Sequence, residues 1–483
     1  MTDTTSRPAR PSQTKIVATL GPASSQQSQI TELLEAGVDV FRINMAHGSR
    51  EEHEACLAAI RAASIEVNQQ VAVLVDLAGP KIRLGELPGG QLHCDADARL
   101  RFVRGDVASD DPIELTTTYE PLIDELTVGD RVMLADGTVV LAVEQVDADS
   151  ARCRVTQPGL IRSRQGVNLP GVKLSTPALG PVDRDNAAWA AQAGIDFVGL
   201  SFVRTADEIR QLKSLLQSHD SEAQVIAKIE KPEALENLTE ILDATDGVMV
   251  ARGDLGVEID IARVAVVQKE IVAACNRHRK PVIIATQMLD SMQHARVPTR
   301  AEVTDVANAI LDGTDACMLS GETAIGKHPR LAVEMMHRIA LATEPLCREQ
   351  PDRPIADLDA EGVNQITEAT VYAAGCMAEV LHADLLVVAS NSGATALSLS
   401  KNRHYVSTIG VSDSPATLRR MCLYWGIIPL ADAPADDSEA LLQFVDDFGR
   451  KAGLLQPGDR IVSIAGTGLS VTAHNAIVVH ELK

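Results

Sequence analysis

Two ionisable side chains lie at the end of one short apolar run in this chain of 483 residues. The run VIAKIE (225–230) ends with Lys228 and Glu230. A spacing of two residues places both side chains on the same side of a β-strand. A structural ion pair is one interpretation. Burial of a charged lysine at the end of a strand costs desolvation free energy. The spacing therefore favours a catalytic or binding role over a purely structural one.

A second carboxylate follows another apolar run. GVMVARGDLG (247–256) carries Asp254, which together with Glu230 would offer two hard oxygen ligands. Mg²⁺, or Mn²⁺ in its place, commonly takes one or two protein carboxylates and completes its coordination with water and substrate oxygens. Taken alone, Asp254 is equally well explained as a turn residue. The free backbone N–H groups of this stretch predict a seat for a carboxylate. They belong to Ala251, Arg252, Gly253 and Asp254.

Cationic and hydroxyl side chains follow further apolar runs. The candidates are Arg42, Asn44 and His47 of FRINMAHG, Asp76, Lys81 and Arg83 of DLAGPKIR, and Thr286 of IIATQML. Arginine binds phosphate in a bidentate manner, although a plain surface arginine is the alternative for Arg42. If the ends of these runs meet, several cations, two metal-binding carboxylates and a hydroxyl converge. That combination suits phosphoryl transfer, in which catalysis is mostly positioning and charge neutralisation.

Eight short runs rich in Val, Ile and Leu predict the strands that hold these side chains. They are KIVATLG (15–21), VDVFRINMAHG (38–48), VAVLVDLAGP (71–80), FVGLSFVR (197–204), VIAKIE (225–230), GVMVARGDLG (247–256), PVIIATQML (281–289) and ACMLSGETA (316–324). Continuous apolar runs are typical of parallel strands that are buried on both faces, and helical periods separate most of them. Eight strand–helix units predict a (β/α)₈ TIM barrel, whose active face lies at the carboxyl ends of its strands.

Two segments depart from the strand–helix repeat. Residues 85–175 alternate apolar and polar side chains between Gly, Asp and Pro residues, which predicts an inserted small β-barrel domain that acts as a lid. Residues 346–483 begin with a Pro/Asp-rich linker and predict a C-terminal open α/β domain. The catalytic barrel would then consist of residues 15–84 and 176–345, after a disordered tail at 1–14.

The composition excludes several classes of partner. The chain has 44 basic and 66 acidic residues and a net charge of −22, which argues against nucleic acid and against anionic membrane surfaces. It contains no apolar stretch of the ~18 residues that a membrane helix needs. The eight cysteines are scattered singly, which favours a reduced, cytoplasmic environment.

The motifs, taken in order, resemble the pyruvate kinase family over nearly the whole chain. The stretches that carry the resemblance are KIVATLGPAS, FRINMAHGS, DLAGPKIRLG, GVNLPG, KIEKPEAL, MVARGDLGVE, ATQMLDSM and PTRAEVTDVANAILDGTDACMLSGETA. The resemblance implies phosphoryl transfer from phosphoenolpyruvate to ADP, which yields pyruvate and ATP. It also implies a homotetramer.

The resemblance also implies roles for single residues. Glu230 and Asp254 would bind the divalent metal, and a second metal would accompany the nucleotide. Lys228 would neutralise the phosphoryl group and the enolate, and Arg42 would bind the phosphate. The amides of residues 251–254 would seat the carboxylate together with Thr286, which would also lie on the route that protonates the enolate.

A second implied group binds the nucleotide phosphates. It consists of Asn44, His47 and Arg83 of the barrel and Asp136 of the inserted domain. The family usually has a lysine directly before GVNLPG, where this chain has Gln165. Arg162 and Arg164 are both candidates for its replacement, and that choice stays open.

One departure from the family pattern concerns the monovalent cation. Many members bind K⁺ at the ends of the second and third strands, where Asn44, Asp76 and Leu77 lie in this chain. The usual serine of the second motif is Ala46, and Lys81 replaces the usual glutamate of the third. A tethered ammonium can take the place of K⁺, so the chain resembles the K⁺-independent branch of the family.

The C-terminal domain carries a candidate effector loop. Small hydroxyl residues and glycine at a helix start form an anion-binding nest, although a plain capped loop is the alternative. The loop residues are Ser390, Asn391, Ser392, Gly393, Ala394 and Thr395. The family resemblance implies a phosphorylated allosteric activator, either a sugar monophosphate or AMP. Residues 466–470 are a candidate second wall, and Lys401 and Arg403 are candidates for added charge.

Two other functions remain as alternatives. One is another Mg²⁺-dependent barrel enzyme that acts on an enolate, such as a lyase or a phosphoenolpyruvate mutase. Such an enzyme needs neither a lid nor a third domain. The other is an inactive metabolite sensor of the same fold, against which the intact Lys228, Glu230, Asp254 and Thr286 argue.

Overall fold

The computed structural model describes residues 12–105, 111, 113–135, 137–348, 364–434, 438–465 and 475–483. Eight parallel strands close into a barrel in the order β1-β2-β3-β12-β13-β14-β15-β16. Their bounds are β1 Lys15–Thr19, β2 Val40–Asn44, β3 Ala72–Asp76, β12 Phe197–Leu200, β13 Gln224–Ile229, β14 Gly247–Ala251, β15 Val282–Ala285 and β16 Ala316–Leu319. Each lies within one of the eight apolar runs or extends one residue beyond it, so the predicted (β/α)₈ barrel is confirmed.

Helices follow the strands and cover the barrel. They are α1 Gln27–Glu35, α2 Arg50–Val67, α4 Pro181–Gln192, α5 Ala206–Gln217, α6 Pro232–Glu236, α7 Leu238–Ala244, α8 Arg252–Glu258, α9 Val264–Arg277, α10 Arg300–Leu311, α11 Gly321–Ala324 and α12 Pro329–Arg348. Short 3₁₀ turns lie at Ile261–Arg263 and Asp290–Gln293. Ser49 and Thr299 begin α2 and α10 with reciprocal capping boxes, which satisfy amides that a helix start leaves unpaired.

The barrel strands are buried on both faces, as their continuous apolar runs predict. In β3, Val73 packs with helix residues such as Ile60 and Ile209. Its neighbour Leu74 belongs to a separate cluster with Ile226 and Met249 of other strands. Because successive side chains of a strand point to opposite faces, one strand contributes to two cores.

The insertion between β3 and α4 is all-β apart from two short turns of helix. Its elements are a 3₁₀ turn Pro88–Gly90, β4 Gln91–Cys94, β5 Arg99–Val103, β6 Glu114–Leu115, α3 Leu122–Glu125, β7 Arg131–Leu134, β8 Val139–Val146, β9 Ser150–Gln157, β10 Gly159–Arg162 and β11 Val167–Asn168. The sequence pattern predicts a small barrel. The described strands pair as a six-stranded sheet and a two-stranded sheet, and they share one core that contains Phe102 and Leu141.

The C-terminal residues form a five-stranded sheet with helices, which confirms the predicted open α/β domain. Its elements are α13 Gln365–Val380, β17 Leu385–Ala389, α14 Ala394–Lys401, β18 Ser407–Val411, α15 Pro415–Met421, β19 Ile427–Leu430, α16 Ser438–Lys451, β20 Arg460–Ala465 and β21 Ala476–Glu481. The strand order is β19-β18-β17-β20-β21, and β21 runs antiparallel to β20. No helix in the described part of the chain is long and apolar enough to cross a membrane.

Four aspartates lie at the amino ends of alternate barrel strands, and one of them pairs with two cations of the C-terminal domain. Each accepts a hydrogen bond of 2.7–2.8 Å from a backbone amide of the strand before it. They are Asp39, Asp196, Asp246 and Asp315. Lys401 Nζ lies 2.5 Å from Asp315 Oδ2, and Arg403 lies 2.9 Å from Asp315 Oδ1. The C-terminal domain therefore docks on the barrel end opposite to the candidate site.

Candidate active site

A buried lysine lies at the centre of the candidate site. Lys228 is 9% exposed, and its Nζ lies 3.1 Å from Asp76 Oδ1 and 3.0 Å from Glu230 Oε1. It also donates a 2.6 Å hydrogen bond to Ser201 Oγ. Burial alone would lower the pKa of Lys228, but the two carboxylates outweigh it and raise that pKa above its usual value. The side chain is therefore held as an ammonium ion, as the predicted role requires.

Arg42 brings a second cation to the same carboxylate. Its Nε donates to Asp76 Oδ2 over 2.7 Å, and its guanidinium also reaches Thr19 Oγ1 over 3.1 Å. Asp76 is 1% exposed. Burial would raise the pKa of this carboxyl, but Lys228 and Arg42 outweigh it and lower the pKa below its usual value. Asp76 thus stays ionised and orients two cations. Arg42 comes from the adjacent strand β2, and Lys228 comes from β13, two strands away on the other side.

Glu230 and Asp254 form the predicted pair of carboxylates. Glu230 is 1% exposed, and its Oε2 accepts a 2.9 Å hydrogen bond from the Phe202 amide. Burial raises the pKa of Glu230, Lys228 opposes that rise, and repulsion from Asp254 adds to it. Two hard oxygen groups that repel each other beside a cavity fit a divalent cation with water and substrate ligands. Among the described residues, no group of three or more His, Cys, Asp and Glu could hold a metal.

Asp254 lies in the first turn of α8, where the sequence pattern was equally consistent with a turn residue. The helix begins at Arg252, directly after β14. The predicted carboxylate seat, residues 251–254, is therefore the start of a seven-residue helix whose first N–H groups have no partner within the helix.

Thr286 closes this side of the site in a strained conformation. Thr286 and Gln287 both have positive φ, at 70° and 54°, which costs on the order of 1–3 kcal/mol per residue. The hydroxyl of Thr286 accepts from the Gly253 amide at 2.8 Å and donates to the Ala285 carbonyl at 2.6 Å. Arg252 donates to the Thr286 carbonyl at 2.9 Å and pairs with Asp305. These contacts hold the strained turn against the start of α8.

Two of the predicted nucleotide residues lie at the end of β2, and a third lies at the root of the insertion. Asn44 pairs in register with Asp76, and its Oδ1 accepts from the Ala46 amide. His47 is exposed, and its carbonyl lies 2.8 Å from His53 Nε2. Arg83 donates to the Arg164 carbonyl at 3.2 Å, at the root of the insertion.

Four other residues were named for this region, and each is placed differently. Asp136 lies outside the residues that the structure describes. Arg164 is exposed and pairs with Glu86 at 2.6 Å. Gln165 accepts at its Oε1 from the Arg162 amide at 2.6 Å. Neither arginine is preferred by these contacts as the replacement for the usual lysine.

Lys81, the candidate replacement for K⁺, lies at the root of the inserted domain. Its exposed side chain lines a cavity between the barrel and the inserted domain, together with Gly166, Lys231 and Asp254. It makes no ion pair within 4.0 Å of Asp76, whose charge Arg42 and Lys228 balance instead. The Leu77 side chain is buried beside this region.

The candidate effector loop joins β17 to α14. Ser390 is buried and donates its amide to the Val411 carbonyl, whereas Asn391 and Ser392 are exposed. Gly393 has φ of 87° and precedes Ala394 and Thr395, which open α14. Residues 466–470, the candidate second wall, lie outside the described residues.

Lys401 and Arg403 do not add charge to this loop. Lys401 is the last residue of α14, and Arg403 lies two residues beyond it. Both pair with Asp315 of the barrel. The expectation that they assist effector binding is wrong, because this aspartate already takes their charge at the domain boundary.

Family comparisons agree with this architecture. The model of the pyruvate kinase barrel domain matches residues 11–333, and the model of the pyruvate kinase alpha/beta domain matches residues 368–480. The chain belongs to the pyruvate kinase family. Like its named relatives, it is a phosphotransferase of this family, and the resemblance read from the motifs is confirmed.

Individual pyruvate kinases match nearly the whole chain. The enzyme of Geobacillus stearothermophilus is 39% identical over 473 residues, which cover 97% of this chain and 80% of the relative. Pyruvate kinase 2 of Synechocystis is 39% identical and covers 98% and 79% in the same order. A crystal structure of a pyruvate kinase from Cryptosporidium parvum superposes with a TM-score of 0.89 at 30% identity, covering 98% of this chain and 96% of that one.

The sequence motifs did not predict two residues of this site, Ser201 and Lys231. Ser201 follows β12 and contacts Lys228, but its run was used only to predict a strand. A hydroxyl directly after a fully buried strand was the available signal. Lys231 is 6% exposed and pairs with Glu258 at 2.6 Å beside the cavity that Asp254 lines. The motif KIEKPEAL contains Lys231, but nothing in the motif predicts that Glu258 is its partner.

Proposed function

We propose that this chain transfers the phosphoryl group of phosphoenolpyruvate to ADP. The bond between phosphorus and the enol oxygen breaks, an oxygen of the ADP β-phosphate bonds to phosphorus, and the enolate takes a proton at carbon to become pyruvate. The cluster of Lys228 with Asp76 and Glu230, beside Arg42, carries this proposal. A buried ammonium and a guanidinium at the barrel mouth suit a charge that moves as an anion.

Each residue of the cluster has a part in this reaction. Arg42 binds the phosphate, and Lys228 neutralises first the phosphoryl group and then the enolate. The amides at the start of α8 and the Thr286 hydroxyl bind the substrate carboxylate. The hydroxyl proton of Thr286 rests on the Ala285 carbonyl, so the hydroxyl must rotate before it can take part in protonation of the enolate.

Glu230 and Asp254 would hold Mg²⁺ or Mn²⁺. When bound, the metal supplies charge neutralisation for the phosphoryl and enolate oxygens. Lys228 Nζ lies 3.0 Å from Glu230 Oε1, and this contact keeps the buried carboxylate oriented.

The inserted domain would act as a lid that closes over the nucleotide. Asn44, His47, Arg83 and Asp136 would contact the nucleotide phosphates. Water exclusion under a lid strengthens every charge interaction below it. We also propose independence from K⁺, because Lys81 is a positive charge in place of the usual glutamate of the motif that contains Asp76 and Leu77, although Lys81 forms no ion pair with Asp76.

The larger assembly follows the family. We propose a homotetramer in the cytoplasm, consistent with eight free cysteines. A sugar monophosphate or AMP would bind at residues 390–395 and activate the enzyme. The domain boundaries that we propose are 15–84 with 176–345 for the barrel, 85–175 for the lid and 346–483 for the regulatory domain.

One assay tests the reaction. Purified protein is given phosphoenolpyruvate as a potassium-free salt, with and without ADP, Mg²⁺ and K⁺, and pyruvate is measured by a coupled dehydrogenase. We expect pyruvate only when ADP and Mg²⁺ are both present, at a rate that K⁺ does not change. Pyruvate without ADP would indicate a lyase or phosphatase. No pyruvate under any condition would indicate a mutase or an inactive sensor and overturn the proposal.

A further inference from the structure

A buried hydroxyl connects three strands of the barrel beneath the candidate site. Ser201 is 1% exposed and follows β12, which lies between β3 and β13. Its Oγ donates a 2.6 Å hydrogen bond to the carbonyl of Leu77, directly after β3. The same oxygen receives a 2.6 Å hydrogen bond from Lys228 Nζ of β13. The serine therefore joins the ends of two strands that do not pair with each other.

The chemistry of the groups sets the direction of both hydrogen bonds. A carbonyl oxygen can only accept, so the single hydroxyl proton of Ser201 points at Leu77. An ammonium can only donate, so a lone pair of the same oxygen receives Lys228. With the lysine charged beside its two carboxylates, no other arrangement satisfies both partners.

Ser201 completes a set of three acceptors around the ammonium. The other two are Glu230 Oε1 at 3.0 Å and Asp76 Oδ1 at 3.1 Å. Both of these contacts are ion pairs with carboxylates. Ser201 is therefore the neutral hydrogen-bonding partner, and it orients Lys228 without adding negative charge near an anionic substrate.

We propose that Ser201 is a positioning residue of the phosphoryl-transfer reaction, which holds the Lys228 ammonium and ties it to the end of the third barrel strand. The proposal rests on the proposed function. Ser201 acts through Lys228, and its loss would misplace a cation that must meet the moving phosphoryl group. Because Arg42 and the carboxylate seat bind the substrate independently, the effect falls on turnover more than on substrate affinity.

Three variants test this role in the coupled pyruvate assay. Ser201→Ala removes the hydroxyl, and Ser201→Thr retains it. Thr314→Val is the matched control, because Thr314 is 1% exposed and donates to the Val282 carbonyl at the opposite end of the barrel. Thermal unfolding of each variant measures the cost of losing one buried hydroxyl.

We expect kcat of Ser201→Ala to fall about 10- to 100-fold, the range for loss of one hydrogen bond to a charged group, with KM for phosphoenolpyruvate within about threefold. Ser201→Thr should recover most of kcat, and Thr314→Val should lose stability without losing kcat. If Ser201→Ala does not fold, Ser201→Cys, which has a weaker donor and acceptor, should give a reduced kcat in its place.

Other outcomes overturn the proposal. A normal kcat in Ser201→Ala, or a loss of kcat that Thr314→Val shares, would leave Ser201 a structural residue only. A rise in KM with normal kcat would mean that it contacts substrate instead. If the wild-type protein itself forms no pyruvate, the proposed function fails, and this result is separate from any behaviour of the variants.

Discussion

Lys228 and Asp76 meet at the barrel mouth with Nζ 3.1 Å from Oδ1, although their strands β13 and β3 are not neighbours. The strand between them contributes Ser201, which touches Lys228 as well. Alternate strands of such a barrel send their side chains into a common layer. The charge cluster is thus a product of barrel closure, which brings two cations and two carboxylates together in one buried site.

Replacement of the buried lysine should abolish turnover. In Lys228→Met the developing negative charge loses its nearest fixed cation, so we expect kcat to fall by about 1,000-fold or more. Arg42 still balances Asp76, so the fold should persist, as checked by thermal unfolding. Lys213→Met, which removes a lysine paired with Asp246 away from the site, is the control and should retain activity. Near-normal turnover of Lys228→Met would contradict the assignment.

Reversal of the charge at residue 81 should create a requirement for K⁺. Wild-type protein should be fully active with Mg²⁺ in K⁺-free buffer, whereas Lys81→Glu should need added K⁺ to recover. Titration of K⁺ in the coupled assay measures this. Lys173→Glu makes the same charge change at another exposed lysine and should behave as wild type. A wild-type rate near zero without K⁺ would refute independence from K⁺.

Removal of one metal-binding carboxylate should weaken the response to Mg²⁺. In Asp254→Asn we expect the Mg²⁺ concentration for half-maximal rate to rise by at least about tenfold, since loss even of an outer partner of a metal ligand costs 10–100-fold. The measurement is a Mg²⁺ titration at saturating substrates. Asp185→Asn, at an exposed residue of α4, is the control. An unchanged Mg²⁺ response would exclude Asp254 as a ligand.

The junction between the barrel and the C-terminal domain should become more stable at alkaline pH. Burial lowers the pKa of Lys401 to about 8, although Asp315 opposes this. The unfolded chain keeps its lysine protonated up to about pH 10.4. Between about pH 8 and 10 the unfolded state therefore binds more protons than the folded state, so the free energy of unfolding contributed by this group rises with pH. Below about pH 8 this contribution no longer changes.

Thermal unfolding as a function of pH measures this effect. The difference in midpoint between wild type and Lys401→Met should shift in favour of wild type between about pH 8 and 10. A difference that stays constant across this window would show that Lys401 does not titrate there.

The strands and many chemical groups of this protein could be predicted from the sequence by itself. Continuous apolar runs predict strands that are buried on both faces, and the structure confirms all eight barrel strands. The two-residue spacing of Lys228 and Glu230 placed both on one side of a strand, because that geometry is local. The family motifs are likewise carried by contiguous residues.

Only the tertiary structure decided which groups meet. The contacts of Lys228 with Asp76 and Ser201 cross three strands, and no spacing along the chain encodes them. Lys401 and Arg403 pair with Asp315 because two domains dock, so their charges are unavailable to the effector loop. Side-chain partners that lie far apart in sequence depend on closure of the barrel and on domain packing, whereas the apolar pattern that predicts a strand is carried by contiguous residues.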